Sequence, residues 1–247
     1  MPKRFEIKNE CREALRNCTL FRYVDEAALT DMLDTFHLET WARGRTLPAE
    51  DVGDTFHVIL CGRLQMAQIN KETGRMVTLF FLGPGDCFDI LQLLNGQPFE
   101  GMLEARDDLK LLSLPMKEAR EWIATHPDFN RAFLAYLGKQ MHILADLAGD
   151  LALHDTETRL AKLLLRHLDP DEAGHNNITL INDLSHEVIA EMIGSVRTVV
   201  NRQLQHWRKK GIVSLDHGHI HVEKLEGLLA RTHQHLLPPP ENVSRDE

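Results

Sequence analysis

The spacing of apolar positions changes several times along the chain, and each change marks an element. Near the N-terminus the pattern is helical in pieces: Val24-Asp25-Glu26-Ala27-Ala28-Leu29 opens a short helix with Leu29, Met32 and Leu33 on one side. From about Phe36 the period drops to two. His37–Trp41 alternates, Gly44 and Pro48 punctuate, and Thr55–Cys61 (TFHVILC) reads as a strand ending at Gly62. Arg63–Ile69 alternates again, Asn70–Gly74 (NKETG) connects a hairpin, and Met76–Leu82 returns to the turn Gly83-Pro84-Gly85-Asp86. Leu109–Leu114 closes the series. Short strands with a turn signal at such intervals predict an antiparallel barrel or jelly roll. Between Ile90 and Ala105 the alternation weakens. Asp89–Leu94 fits one helical turn ended by Asn95-Gly96. An irregular piece inside a barrel is where a small ligand can be cradled, and also what a capping loop looks like.

From Asp128 the helical period returns and persists for about seven turns, with Phe133, Leu137, Leu144, Leu147, Leu151 and interleaved alanines apolar. A helix apolar on more than one side needs a partner. A second copy lying parallel to it is the economical one, and burial against its own barrel is the alternative. His154-Asp155 marks a break, Thr158–His167 (TRLAKLLLRH) starts a second domain, and Asp169–Asn177 reads as a polar loop.

Two short helices joined by a tight turn follow. Ser185 is a good N-cap, Val188, Ile189 and Ile193 form one stripe, and Ala190 permits a close crossing. Gly194 supplies the turn and Ser195 is placed to cap the next helix. There Val196, Val199, Val200 and Leu204 make the buried stripe and leave Arg197, Thr198, Asn201 and Arg202 on the other face. This is the helix-turn-helix pattern. Gly211–Leu215 and Ile220-His221-Val222 then form a hairpin, or wing, Leu225, Leu228 and Leu229 a last short helix, and Pro238-Pro239-Pro240 a disordered tail.

Charge strengthens the assignment. The 247 residues carry 28 Lys+Arg against 37 Asp+Glu, net −9, yet residues 195–210 hold Arg197, Arg202, Arg208, Lys209 and Lys210 and no acid. A cationic segment in an acidic chain is an electrostatic footprint for DNA, the competing reading being the solvated face of an ordinary amphipathic helix. The charged N-terminus is unlike a signal peptide, no window approaches the roughly 18 apolar residues of a membrane span, and four irregularly spaced cysteines are no disulfide framework. These features predict a cytoplasmic protein.

A strand-rich roll, a long helix and a winged helix-turn-helix, in that order, resemble the family of the cyclic-AMP receptor protein and FNR. The local matches are Gly85-Asp86-Cys87-Phe88, Asp155 with Arg159-Leu160-Ala161, Ile189-Ala190 with Ile193-Gly194-Ser195 and Arg197, and Gly211-Ile212-Val213. The resemblance implies an α+β chain: a sensory β-roll over 1–125, a dimerisation helix over 126–154, a winged helix-turn-helix over 155–232 and a tail over 233–247. It also implies a homodimeric transcription regulator, not an enzyme, that binds double-stranded DNA at a two-fold symmetric site and has RNA polymerase as a partner. Mapped onto this sequence, the family's reading positions are Arg197, Thr198 and Arg202, with Asn201 on the same face. An arginine fork suits guanine O6 and N7, whereas Thr198, where many members carry glutamate, offers a methyl suited to thymine. Ser185, His186, Ser195, Lys209 and Lys210 are the phosphate candidates.

The sensory side departs from the cyclic-nucleotide binders. Their Gly-Glu-Leu and Arg-Ser stretches correspond to Phe88-Asp89-Ile90-Leu91 and Pro98-Phe99-Glu100-Gly101, and their purine-contacting Thr-Ser to Leu144-Ala145. No arginine is offered to a phosphate and Glu100 would repel one, so cyclic AMP is not expected to bind. The same gap argues against a dicarboxylate held as in the nitrogen-control relatives. The effector, a small molecule or a gas, is unidentified, and its pocket is expected among Phe88, Asp89, Ile90, Leu91, Phe99 and Leu144. Haem is an alternative through His37, His57, His126 or His142. An iron–sulfur cluster is less favoured, because Cys11 and Cys18 are only two at the N-terminus and Cys61 and Cys87 read as buried small hydrophobes. The strand spacing of His217, His219 and His221, with His233 and His235 beyond, suits Zn²⁺ or Ni²⁺, although a wing favours plain DNA contact. A cupin-type metalloenzyme is the remote alternative, and the roll has only His57 within a clear strand.

Overall fold

A computed structural model describes residues 11–170, 176–178, 180–216 and 219–232. The proposed tail, with His233 and His235, and the wing's His217 lie outside the described residues. The chain forms two compact units that divide between Ala148 and Gly149. Among the described residues no helix is long and apolar enough to cross a membrane.

The first unit opens with helical residues 11–17 and α1 (Glu26–Thr35), which Asp25 caps by accepting from the Ala28 amide at 2.9 Å. Among its described residues the strands are β1 (His37–Trp41), β2 (Thr46–Pro48), β3 (Thr55–Cys61), β4 (Leu64–Ile69), β5 (Met76–Leu82), β6 (Cys87–Phe88), β7 (Met102–Ala105) and β8 (Leu109–Pro115). They form two antiparallel sheets, ordered β1-β8-β3-β6 and β2-β7-β4-β5, as the alternation predicts. Asn70 closes the β4–β5 hairpin, its side-chain oxygen accepting from the Glu72 and Thr73 amides.

The near-continuous apolar runs of β3 and β8 follow from burial on both faces. Phe56, Val58, Leu112 and Leu114 join a core with Phe21, Leu29, Trp122 and Phe129 from the helices. Ile59, Leu109 and Leu111 turn the other way into a core shared with Leu64, Leu103 and Phe88. The weakly patterned stretch 90–105 holds α2 (Ile90–Asn95) and also β7, which its local pattern does not reveal. There Gly101 passes so close to the neighbouring strand that a Cβ would lie 2.5 Å from the Ala67 carbonyl oxygen. A second unheralded element, α3 (Met116–Thr125), buries Met116, Ala119 and Trp122.

The long helix α4 (Pro127–Leu153) starts in the roll's core, where Phe129, Phe133 and Tyr136 are buried. Past Gln140 its apolar side chains emerge: Met141 is 71% exposed, and Ile143, Leu144, Leu151 and Leu153 are also exposed. Within one chain, then, the helix is not buried against its own barrel along its whole length.

The second unit contains α5 (Thr156–Arg166), β9 (Leu168–Pro170), β10 (Asn176–Ile178), α6 (His186–Met192), α7 (Arg197–Lys209), β11 (Val213–Asp216), β12 (His219–Val222) and α8 (Leu225–Thr232). Its sheet runs β11-β12-β10-β9. The stretch 169–177, expected to be a polar loop, instead pairs its ends as β9 and β10, because β12 gives β10 an edge to add to. Asp155 caps α5 at 2.8 Å from the Thr158 amide, and buried Asp150 pairs with Lys162 at 2.6 Å and with Arg166.

Candidate nucleic-acid interface and effector cavity

Helix α7 is two-faced. Val200, Leu204 and Trp207 are buried, and the Trp207 indole N–H donates to Glu157 Oε1 at 3.2 Å, holding the helix against α5. Arg197, Thr198, Asn201, Arg202, Lys209 and Lys210 are exposed. Every expected base-facing side chain of α7, Arg197, Thr198, Asn201 and Arg202, is on its open side.

Two local expectations are corrected. Ser195 does not cap α7; Val196 occupies the N-cap position without a side-chain bond, while the Ser195 amide donates to the Ala190 carbonyl at 2.8 Å. Val196 is 52% exposed rather than buried, because the apolar stripe begins one turn later. Ser185 does cap α6, accepting from the Val188 amide at 3.3 Å, and Gly194 makes the turn at φ +60°. A Cβ on Gly194 would lie 2.5 Å from Leu151 Cδ2, so the position needs glycine for space as well as for conformation. Half-buried His186 hydrogen-bonds the Asn201 side chain; burial and then the Arg197 charge hold its pKa below the usual histidine range. Ser195 is half-buried at the turn. In the wing, Asn182 Oδ1 accepts from the Ile220 amide at 2.7 Å, a tie that the sequence does not announce.

In the first unit Phe88, Asp89, Ile90, Leu91, Phe99 and Leu144, scattered over 57 positions of sequence, line one cavity of about 300 Å³. Leu137, Gln140 and Met141 of α4 complete that side, and the wall is almost wholly apolar. Asp89 opens α2 at φ +66°, a left-handed conformation that aspartate tolerates. Its buried Oδ2 lies 2.8 Å from His57 Nδ1, and the His57 ring stacks on Phe88 with centroids 4.6 Å apart. Burial raises the Asp89 carboxyl above its usual range, with His57 pulling against the rise. Arg120 fastens the far end of α2, donating to the carbonyls of Leu93 at 2.9 Å and Gln92 at 2.8 Å. Gln140 and Arg120 are the parts that sequence reasoning missed, since neither stands in a recognisable pattern.

The proposed cofactor ligands are not brought together. The cavity wall has no arginine, lysine or histidine among the described residues, and His37 and His142 are exposed. His57 is tied to Asp89, and half-buried His126, 3.0 Å from the Thr125 hydroxyl, lies off the cavity wall, so these residues do not fit an axial ligand set for haem. Cys61 is exposed, contrary to expectation, because it ends β3. Cys11, Cys18 and Cys87 share the helical core. Burial pushes the Cys18 thiol up to about 11 and that of Cys87 well above the ordinary thiol value, as expected of cysteines packed as small hydrophobes. Among the described residues no group of three or more His, Cys, Asp or Glu is placed to hold a metal.

Residues 158–231 match the profile of the Crp-like helix-turn-helix domain, and residues 40–126 that of the cyclic nucleotide-binding domain. The chain is 26% identical over 223 residues to a CRP-like cAMP-activated global transcriptional regulator of Mycobacterium tuberculosis, covering 89% of this chain and 98% of that one. It is 28% identical over 220 residues to the global nitrogen regulator of a Nostoc species, covering 86% and 93%. Among solved structures, CooA from Carboxydothermus hydrogenoformans, as a mutant, shares the fold at a TM-score of 0.69 and 20% identity, over 82% of this chain and 90% of that one. A Crp/FNR-family transcriptional regulator from Thermus thermophilus does so at 0.63 and 21%, over 80% and 99%.

Proposed function

Because the chain belongs to the Crp/FNR family of transcription regulators, whose members bind DNA and dimerise, we propose that it is itself a homodimeric, sequence-specific regulator. The observation that carries this reading is the two-faced helix α7: a buried Val200-Leu204-Trp207 seam behind an open face of Arg197, Thr198, Asn201 and Arg202. That face enters the major groove. Arg197 reads a guanine as a bidentate donor, Thr198 meets a thymine methyl, and Arg202 reads a second guanine or holds a phosphate. Asn201 is steadied by His186, and Ser185, Ser195, Lys209 and Lys210 lie toward the backbone. The exposed Met141–Leu153 side of α4 is the seam for a second copy, which sets two recognition helices on a symmetric site.

The roll is the sensory part, and an effector in the 300 Å³ cavity acts on α4, which supplies one side of that cavity and the dimer seam together. Cyclic AMP is not that effector, since its phosphate would find no cation on the wall. RNA polymerase is the further partner. The test is an anisotropy titration of the full chain against duplexes selected from a random pool, at several salt concentrations, with sedimentation of the same sample. A dimer preferring one symmetric sequence is expected; a monomer, or equal affinity for every duplex, overturns the reading.

A further inference from the structure

The cavity's walls restrict what can occupy it. Gln140 is 8% exposed and lines the wall contributed by α4; its Oε1 sits beneath the cavity surface with no hydrogen-bond partner among the described residues, and the soft terminal torsion of a glutamine amide lets that oxygen turn toward a ligand. A buried amide oxygen left unpaired costs free energy comparable to a lost hydrogen bond, so a donor supplied there is favoured. Around it the surface is hydrocarbon: Phe80, Phe88, Phe99 and Leu137 inside, with Leu91 and Leu94, each about half exposed, toward solvent. The other polar group, the Asp89 carboxylate, is already engaged by His57 at 2.8 Å.

Volume and charge narrow the ligand further. A dry apolar cavity of about 150 Å³ accommodates benzene; one of about 300 Å³ has room for a two-ring body. An anion entering would shed its water without meeting a cation and would approach the Asp89 carboxylate. We propose that this cavity binds an uncharged, largely hydrocarbon molecule of about two fused rings that carries one hydrogen-bond donor, which Gln140 Oε1 accepts. The inference rests on the reading of the roll as the sensory unit and names the chemical class of what that unit senses.

A matched series tests it on the full chain by calorimetry at neutral pH: indole, which has a donor and no charge, the near-isosteric indene, which lacks the donor, and indole-3-carboxylate, an anion read against neutral 3-acetylindole of the same size. Indole binds; indene binds about tenfold more weakly, the ordinary worth of one buried hydrogen bond. Indole-3-carboxylate binds at least about a hundredfold more weakly than 3-acetylindole. In Gln140→Leu, checked by thermal melting, indole falls to the level of indene; Gln140→Met repeats the measurement with an unbranched side chain of similar length. Leu91→Trp, at an exposed position, narrows the entrance and weakens indole and indene alike.

Failure of indole to bind, equal affinity for the carboxylate and 3-acetylindole, or a persisting preference for indole over indene in the Gln140 variants each overturns the proposal. Duplex binding and sedimentation on the same preparation separate its fate from that of the regulator reading. A dimer that selects its duplex yet takes up no indole refutes the ligand class alone. A monomer without duplex preference that still discriminates among the ligands refutes the regulator and leaves the cavity chemistry standing.

Discussion

Helix α7 and the cavity of the first unit are built on opposite plans. On α7 the side chains assigned to chemistry are exposed, and buried Val200, Leu204 and Trp207 hold them in place from behind. In the cavity the wall itself carries the chemistry: among the described residues it holds no cation, and Gln140 in it has an unpaired amide oxygen. The difference teaches where change is tolerated. A surface reader loses affinity or specificity when altered while the fold persists; a buried support loses the fold and, with it, everything in front.

The sharpest challenge to that contrast is Trp207→Ala. The indole is fully buried and bonded to Glu157, so its removal is expected to cost about 3–5 kcal/mol in urea-induced unfolding. Unchanged stability would mean that the support behind α7 lies elsewhere.

Next in size is a pH effect in the same unit. Burial, then the Arg166 charge, pulls the His167 pKa from 6.5 down to about 4. The unfolded chain therefore binds a proton that the folded chain refuses. Stability is retained above the unfolded value near 6.5 and is lost as pH falls from there toward about 4, by about 3 kcal/mol in full. In His167→Gln the part of the pH dependence due to this group disappears, which unfolding curves from pH 7.5 to 4 measure against the parent protein.

On the exposed face the effects are smaller and fall on binding. Arg197→Ala is expected to cost about 1–3 kcal/mol on the selected duplex, to relax one base position and to leave the melting temperature in place. Equal weakening on every duplex would move Arg197 from reader to phosphate anchor. Lys209→Ala weakens all duplexes alike and lowers the slope of log affinity against log salt by about one. Smallest is the expected null: cyclic AMP produces no binding heat with the full chain, whereas tight binding would show that the cavity's missing cation is supplied in some other way.

Much of this architecture is legible in one dimension. Period-two alternation announces β1 and β4, apolar runs bounded by turn signals announce β3, β5 and β8, and helical spacing announces α4 and the α6–α7 pair. A glycine at φ +60° and Ser185 at an N-cap show because such signals are local: each depends on neighbours within a few residues. The broken alternation over 90–105 points to part of the cavity wall, the family resemblance adds Phe88, Asp89 and Leu144, and composition marks the cationic run 195–210.

What folding alone decided are the pairings between distant residues. His57 meets Asp89 across 32 positions, Trp207 meets Glu157 across 50, and three of four cysteines gather in a core while Cys61 remains outside. Gln140 looks like any polar residue on a long helix until the roll closes over it and leaves its oxygen unmatched. Periodicity states which face of an element is buried; it carries no information about what that face is buried against.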